Sequence, residues 1–254
     1  MRRTATALVV NPNTNRAVTQ RLVGQLAQVL GQGGGARAPV IELRAATARF
    51  GAAYIASEAG FAIAAHAVLD SFARALQDGP LDAVVVGCFG DPGIQALREL
   101  TSVPVIGLAE AAVAEAARHG RFAIVTGGVA WRPMLRRIVA GLPQADRLDD
   151  VRVIAESGGA LADDRERALR LLAAACRKAA RPGVDAVILG GAGFAGYGDA
   201  LAAQIGVPVI DSVSAAGRAL RKALSGSRAA RRPVPVPTPV RYRGLAAALR
   251  RELD

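Results

Sequence analysis

The sequence predicts an α/β fold: two pseudo-symmetric lobes, each a four-stranded parallel sheet flanked by helices, with the active site in the cleft between them. Three observations predict it. Short apolar runs alternate with helix-forming stretches over most of the 254 residues, which implies parallel strands joined by right-handed crossovers. The chain also repeats itself. Asp82-Ala83-Val84-Val85-Val86-Gly87-Cys88 corresponds to Asp185-Ala186-Val187-Ile188-Leu189-Gly190-Gly191, and downstream Val103-Pro104-Val105-Ile106 corresponds to Val207-Pro208-Val209-Ile210. Two copies of one pattern mean two similar lobes. Finally, each half opens with a strand that ends in polar or Gly-rich residues, Asn11 to Thr14 in one and Thr126 to Gly128 in the other. Open α/β sheets place ligands at the carboxyl ends of their strands, so both sets of loops converge on one cleft.

The elements follow in order. Residues 5–10 form the first strand, closed by Asn11-Pro12-Asn13-Thr14-Asn15, a turn rich in capping groups. A helix runs from there to about Leu30 and breaks at the glycines of 31–35. Residues 39–43 are the second strand, 44–54 a loop and 55–76 a long Ala-rich helix. Residues 81–87 make the third strand, apolar enough to be buried on both faces. In the following loop Asp91 suits the N-cap of a helix over 92–100, with Pro92 at its first position. Residues 103–107 are the fourth strand. In the second half, strands at 122–125, 151–155, 186–190 and 207–210 alternate with helices at 110–118, 133–140 and 163–180 and a short one after 190. Asp163, Asp164 and Glu166 favour the dipole at their helix start. A helix over 212–224 packs back on the first lobe. The first lobe is therefore 1–107 plus 211–225, the second 108–210, and 226–254 a basic, Pro-rich C-terminal tail. In that tail Pro233, Pro235, Pro237 and Pro239 alternate into a stiff extended segment. Residues 244–253 suit a short amphipathic helix that docks on the body, docks on a second subunit, or stays free.

Composition narrows the function classes. Hydrophobic residues are 52% and charged residues 21%, so the chain builds a sizeable core and is not disordered. No uninterrupted apolar run reaches the roughly 18 residues of a membrane span. The start reads as a strand rather than a signal peptide, so the expectation is a cytoplasmic protein with no membrane partner. The net charge of +11 is almost all arginine. These arginines are spread over the predicted helices apart from Arg218, Arg221, Lys222, Arg228, Arg231 and Arg232, and aromatics are only 4%. A solvated surface accounts for that better than a nucleic-acid partner. The two cysteines, Cys88 and Cys176, imply no disulfide framework. His66 and His119 are isolated, so no metal site is expected.

Cys88 is the candidate catalytic residue. It stands at a strand end between Gly87 and Gly90, facing a helix N-terminus whose dipole would favour a thiolate. A buried structural cysteine is the commoner fate of the residue type, but the glycines and the polar loop argue against that here. Cys176 falls in a helical pattern and reads as core. Asn11, Asn13 and Thr14 follow the first strand, next to Cys88 in such a sheet; Thr126 and Gly127 offer the same from the second lobe. Capping is the plain role for such residues, and one residue can both cap and bind an anion. Gly191-Ala192-Gly193-Phe194-Ala195-Gly196 spells a dinucleotide fingerprint with Asp211 downstream. It has no counterpart in the first lobe, and too little chain follows to complete a nucleotide-binding sheet.

These motifs together resemble the aspartate/glutamate/hydantoin racemase superfamily, most of all its hydantoin racemase branch. The resemblance rests on Val9-Val10-Asn11-Pro12-Asn13-Thr14, on Gly87-Cys88-Phe89-Gly90-Asp91-Pro92-Gly93 and on Pro104-Val105-Ile106-Gly107-Leu108-Ala109-Glu110-Ala111. It extends through Ile124-Val125-Thr126-Gly127-Gly128 with Trp131, Met134 and Leu135, and through Leu189-Gly190-Gly191-Ala192-Gly193. It implies a cofactor-independent isomerase acting on a small amino-acid, hydantoin or related carboxylate substrate, and it is compatible with a homo-oligomer. One cysteine from each lobe would flank the substrate carbon; Phe89, Gly90, Gly127 and Gly191 would join Asn11, Asn13, Thr14 and Thr126 in binding. The family's second cysteine falls on Gly191. Three readings follow. Another donor, such as water, Thr126 or Tyr197, completes a racemase or epimerase. A one-cysteine decarboxylase or isomerase, a mirror image of arylmalonate decarboxylase, protonates a carbanion with Cys88. Or the chain binds a small ligand without turnover.

Overall fold

The computed structural model describes residues 3–32, 38–156, 164–225 and 242–253. Strands β1 (Thr4–Asn11), β2 (Val40–Thr47), β3 (Ala83–Val86) and β4 (Val105–Gly107) form one sheet in the order β2-β1-β3-β4. Strands β5 (Phe122–Gly127), β6 (Leu148–Ile154), β7 (Ala186–Leu189) and β8 (Val209–Asp211) form a second in the order β6-β5-β7-β8. Every pairing is parallel. The repeat extends to register: Val10 pairs with Val86 and Val86 with Gly107, just as Val125 pairs with Leu189 and Leu189 with Asp211. It extends to side chains as well. Asp82 accepts the N–H of Thr6 at 2.9 Å, and its repeat partner Asp185 accepts that of Arg121 at 2.8 Å.

Both faces of each central strand are covered, which is why they read as unbroken apolar runs. Leu8, Val10, Val84 and Val86 face α2 (Glu58–Ala75) and α3 (Ile94–Leu100), while Ala7, Val9, Ala83 and Val85 belong to the opposite core. That opposite core is shared by the lobes. It contains Val18, Leu22 and Leu26 of α1 (Arg16–Gly31), Leu108 and Val113 of α4 (Leu108–Ala116), Val213 and Leu220 of α8 (Ser212–Ser225), and Ile124 and Ile188 of the second sheet. Helix α8 packs on α1 and α4. The outer face of the second sheet is covered by α6 (Arg165–Ala179) and α7 (Gly198–Ala202), with Cys176 wholly buried there. Helix α5 (Trp131–Ala140) follows β5.

Three expectations are corrected. Residues 44–47 belong to β2 rather than to a loop, because they keep pairing with β1 as far as Asn11–Thr47. Helix α2 begins at Glu58 because the Ser57 hydroxyl accepts Gly60 N–H and sets the N-cap. Asp91 and Pro92 do not open α3; it starts at Ile94 behind Gly93 in the left-handed region, and Asp91 itself has φ +53°. By length and composition the stretch Glu58–Asp78 would pass as a membrane span. Here α2 packs on β1 and α3 and buries Asp70 against Arg49 at 3.3 Å. Near the C-terminus, α9 (Ala247–Leu253) docks on α2, with Ala248 and Leu249 against Ala73. The expected proline segment, Arg228, Arg231 and Arg232, Asp163 and most of the 31–35 glycines lie outside the described residues.

Candidate active site

A cavity of ≈210 Å³ opens where the carboxyl ends of both sheets meet. Its walls come from the turn after β1 (Asn13, Asn15), the loop after β2 (Tyr54, Ile55), the loop after β3 (Cys88, Phe89), the end of β5 (Thr126, Gly127), Trp131 of α5 and the loop after β7 (Gly191 to Phe194). The volume lies below the 300–1,000 Å³ or so of drug-sized sites and suits a small ligand.

Cys88 is held by its own loop. Its carbonyl accepts the N–H groups of Gly90 at 2.9 Å and Asp91 at 3.0 Å, a tight turn that presents the half-buried side chain to the cavity. Burial pushes the thiol well above its usual range, and the negative Asp91 pushes it further the same way. The expected helix dipole does not win: desolvation penalises the thiolate more. In the ligand-free protein Cys88 is a thiol, an acid before it is a base. Asp91 has a different job from the one its position suggested. Its carboxylate accepts Ala109 N–H at 3.0 Å and Glu110 N–H at 2.9 Å, capping α4 across the lobe rather than α3 beside it. Burial pushes this carboxyl up to about 7 against those two hydrogen bonds.

The polar turn after β1 divides its roles. Asn11 is fully buried and spent on structure: its amide donates to Asn13 Oδ1 at 2.9 Å, Asn15 O at 3.0 Å and Thr19 Oγ1 at 2.9 Å. Thr14 does not line the cavity. Asn13 and Asn15 do, with their oxygens occupied. Asn13 Oδ1 accepts from Asn11 and from Asn15 N–H, and Asn15 Oδ1 caps α1 at Ala17 N–H. Fixing each oxygen leaves each amide NH₂ to point a donor at a ligand. Thr126 lines the cavity, but its hydroxyl donates to Gly190 O at 2.8 Å.

Of the remaining expected residues, Phe89, Gly127 and Gly191 line the cavity, whereas Gly90 lies under Trp131 and Phe61. Tyr197 is displaced from its expected role as a donor. Its ring is 7% exposed, sits in the second-lobe core, and is covered by the Arg165 guanidinium at 4.9 Å. Asp211 does not behave as a ribose ligand: it accepts Gly196 N–H at 3.0 Å and the Val213 and Ser214 N–H groups at 2.9 Å each, capping α8. The glycine fingerprint is thus a tight connection around Asp211.

Sequence reading missed Tyr54 and Asn15. Tyr54 lay in a stretch treated only as a loop. Its signal was positional: β2 pairs with β1, so the loop after it lies at the ligand edge of the sheet. The phenol crosses the cleft and donates to Gly127 O at 2.9 Å, while Trp131 Nε1 donates to Ile55 O at 2.9 Å. Burial raises the phenol above its usual range, the neighbouring Trp131 side chain opposes this, and Cys88 adds to the rise.

Fold and site define a two-lobed α/β enzyme with a thiol at the junction of its sheets. The family model for Asp/Glu/hydantoin racemases matches residues 8–220. The hydantoin racemase of Paenarthrobacter aurescens is 33% identical over 213 residues, covering 83% of this chain and 87% of that protein. Among solved structures, an allantoin racemase from Klebsiella pneumoniae is 31% identical with a TM-score of 0.77, covering 86% of each chain. An allantoin racemase from Pseudomonas fluorescens is 30% identical with a TM-score of 0.76, covering 93% of this chain and all of the other. The chain belongs to the Asp/Glu/hydantoin racemase family and is an isomerase of the racemase type.

Proposed function

We propose that the protein racemises or epimerises a carbon α to a carbonyl in a small hydantoin-type ring, without a cofactor, using Cys88 as acid/base. One observation carries the reading: a small cavity is walled by the strand ends of both lobes and holds Cys88. The likeness to hydantoin and allantoin racemases adds the ring, since allantoin is itself a substituted hydantoin. The Asn13 and Asn15 amides supply donors for ring carbonyls, where charge develops when the α-proton leaves. Binding displaces water and brings those donors beside Cys88, which lets the thiol exchange its proton with the carbon.

The test is α-proton exchange in deuterated water on 5-substituted hydantoins, allantoin, amino acids and substituted malonates. Cys88→Ser is expected to lose exchange and racemisation by about 10³-fold while still binding substrate; unchanged turnover in Cys88→Ser rules the mechanism out. A second reading is favoured by Gly191, which places no thiol opposite Cys88. In it Cys88 protonates a carbanion left by decarboxylation, and the malonates alone would turn over, each to one enantiomer. Ligand binding with no exchange on any substrate would instead mark a binding protein.

A further inference from the structure

We infer that Tyr54 is the second acid/base of this site, taking the place that the missing thiol leaves on the second-lobe side. The inference rests on the proposed racemase reading. Of the side chains lining the cavity, only Cys88 and Tyr54 can lose a proton near neutral pH or above it. Thr126 carries a hydroxyl, but that group is committed to Gly190 O and has no useful acidity. Gly191 has no side chain, and its φ of +135° is one that a cysteine rarely adopts.

Tyr54 starts in the loop after β2 of the first lobe, yet its hydroxyl is anchored 2.9 Å from Gly127 O at the end of β5 in the second. It therefore presents a proton from the side of the cavity opposite its own chain. Trp131, next to the phenol, works against the effect of burial and favours the phenolate that would remain after proton transfer. Tyr54 and Cys88 line the same cavity, and a charge on Cys88 bears on the phenol.

The step balances without a co-reactant. Cys88 as thiolate takes the α-proton, and the C–H electron pair moves into the ring carbonyl. Tyr54 rotates from Gly127 O, gives its proton to the opposite face of the carbon, and becomes phenolate. The proton on Cys88 returns to Tyr54 through solvent. From the other enantiomer the roles reverse.

Tyr54→Phe keeps the ring in place and removes only the hydroxyl. With 5-substituted hydantoins in deuterated water, it is expected to lower racemisation by about 10²-fold or more. It is also expected to keep deuterium wash-in for the single enantiomer whose α-hydrogen faces Cys88. Racemisation by Tyr54→Phe within about threefold of the parent overturns the assignment and leaves the Cys88 reading intact. Equal loss of wash-in for both enantiomers overturns it too, because a mere latch between lobes would behave so. If Cys88→Ser racemises as the parent does, or if no hydantoin exchanges with the parent protein, the racemase reading itself falls and this inference with it.

Discussion

The two lobes solve one problem with opposite placements of the same group. Each must cap the helix that follows its last strand, and each uses a single buried carboxylate. In the first lobe the acid is Asp91, on the loop after Cys88, and the strand-end position facing it is Gly107. A Cβ on Gly107 would meet Asp91 Oδ2 at 2.2 Å. In the second lobe the acid has moved to the strand end as Asp211, and the position matching Asp91 in the repeat is the apolar Phe194. The acid and its accommodating gap have traded places, so both α4 and α8 start capped. The electrostatics differ. Burial keeps the Cys88 thiol protonated and Asp91 beside it adds to that, whereas the Gly191 corner carries no thiol. Capping is satisfied in both lobes, and the thiol that lines the cavity stands in one.

The largest way to break this comparison is Asp91→Ala. It leaves the buried Ala109 N–H and the part-buried Glu110 N–H without their partner and opens a hole beside Cys88. A loss of about 3 kcal/mol in urea unfolding is expected, and a loss under about 1 kcal/mol would mean water caps α4 as well as the carboxylate does. A smaller effect is expected from Gly191→Cys, which makes the corners chemically alike. A Cβ there would meet Phe194 Cδ2 at 3.3 Å, a contact that small shifts relieve, but φ is +135°. Backbone strain is expected to cost about 1–3 kcal/mol. The new thiol is expected to add no racemisation, because the loop must first leave its present path; a clear gain would show that the corner relaxes freely.

The smallest effect sharpens the electrostatic half. Asp91→Asn keeps the shape and removes the charge, so Cys88 is expected to react up to about tenfold faster with iodoacetamide near neutral pH. Cys176, buried and pushed up to about 12, stays unmodified in both proteins. The same variant tests linkage. Because burial raises Asp91 from 3.8 to about 7, the folded state binds its proton more tightly than the unfolded chain does. That contribution is full below about pH 4 and is lost as pH rises through 7. Stability of the parent is expected to fall over that window relative to Asp91→Asn, measured by denaturant midpoints; parallel profiles would place the Asp91 proton elsewhere.

Much of the molecule could be read from local pattern. The repeat of Asp82 to Cys88 in Asp185 to Gly191 located both lobes, since covered strands need unbroken apolar runs. It placed Cys88 and Gly191 in one cleft, because parallel strands deliver all their carboxyl ends to one edge. The individual polar roles were harder. Asn11, Asn13 and Asn15 are alike in type and adjacent in sequence, yet one is consumed in the interior and two keep a free amide. Tyr197 looked available beside a Gly-rich loop, whereas its ring turned into the second-lobe core.

The sequence by itself determined the fold class, the family and the thiol at the end of β3, because periodicity, repeat and motif are local and survive in one dimension. Only the tertiary structure decided which groups share the cavity with that thiol. Asp91 reaches over to α4 and Tyr54 crosses from one lobe to the other, contacts between residues far apart in the chain. The proton affinity of Cys88 was settled there too: desolvation depends on everything that surrounds a group, and no window of sequence contains its surroundings.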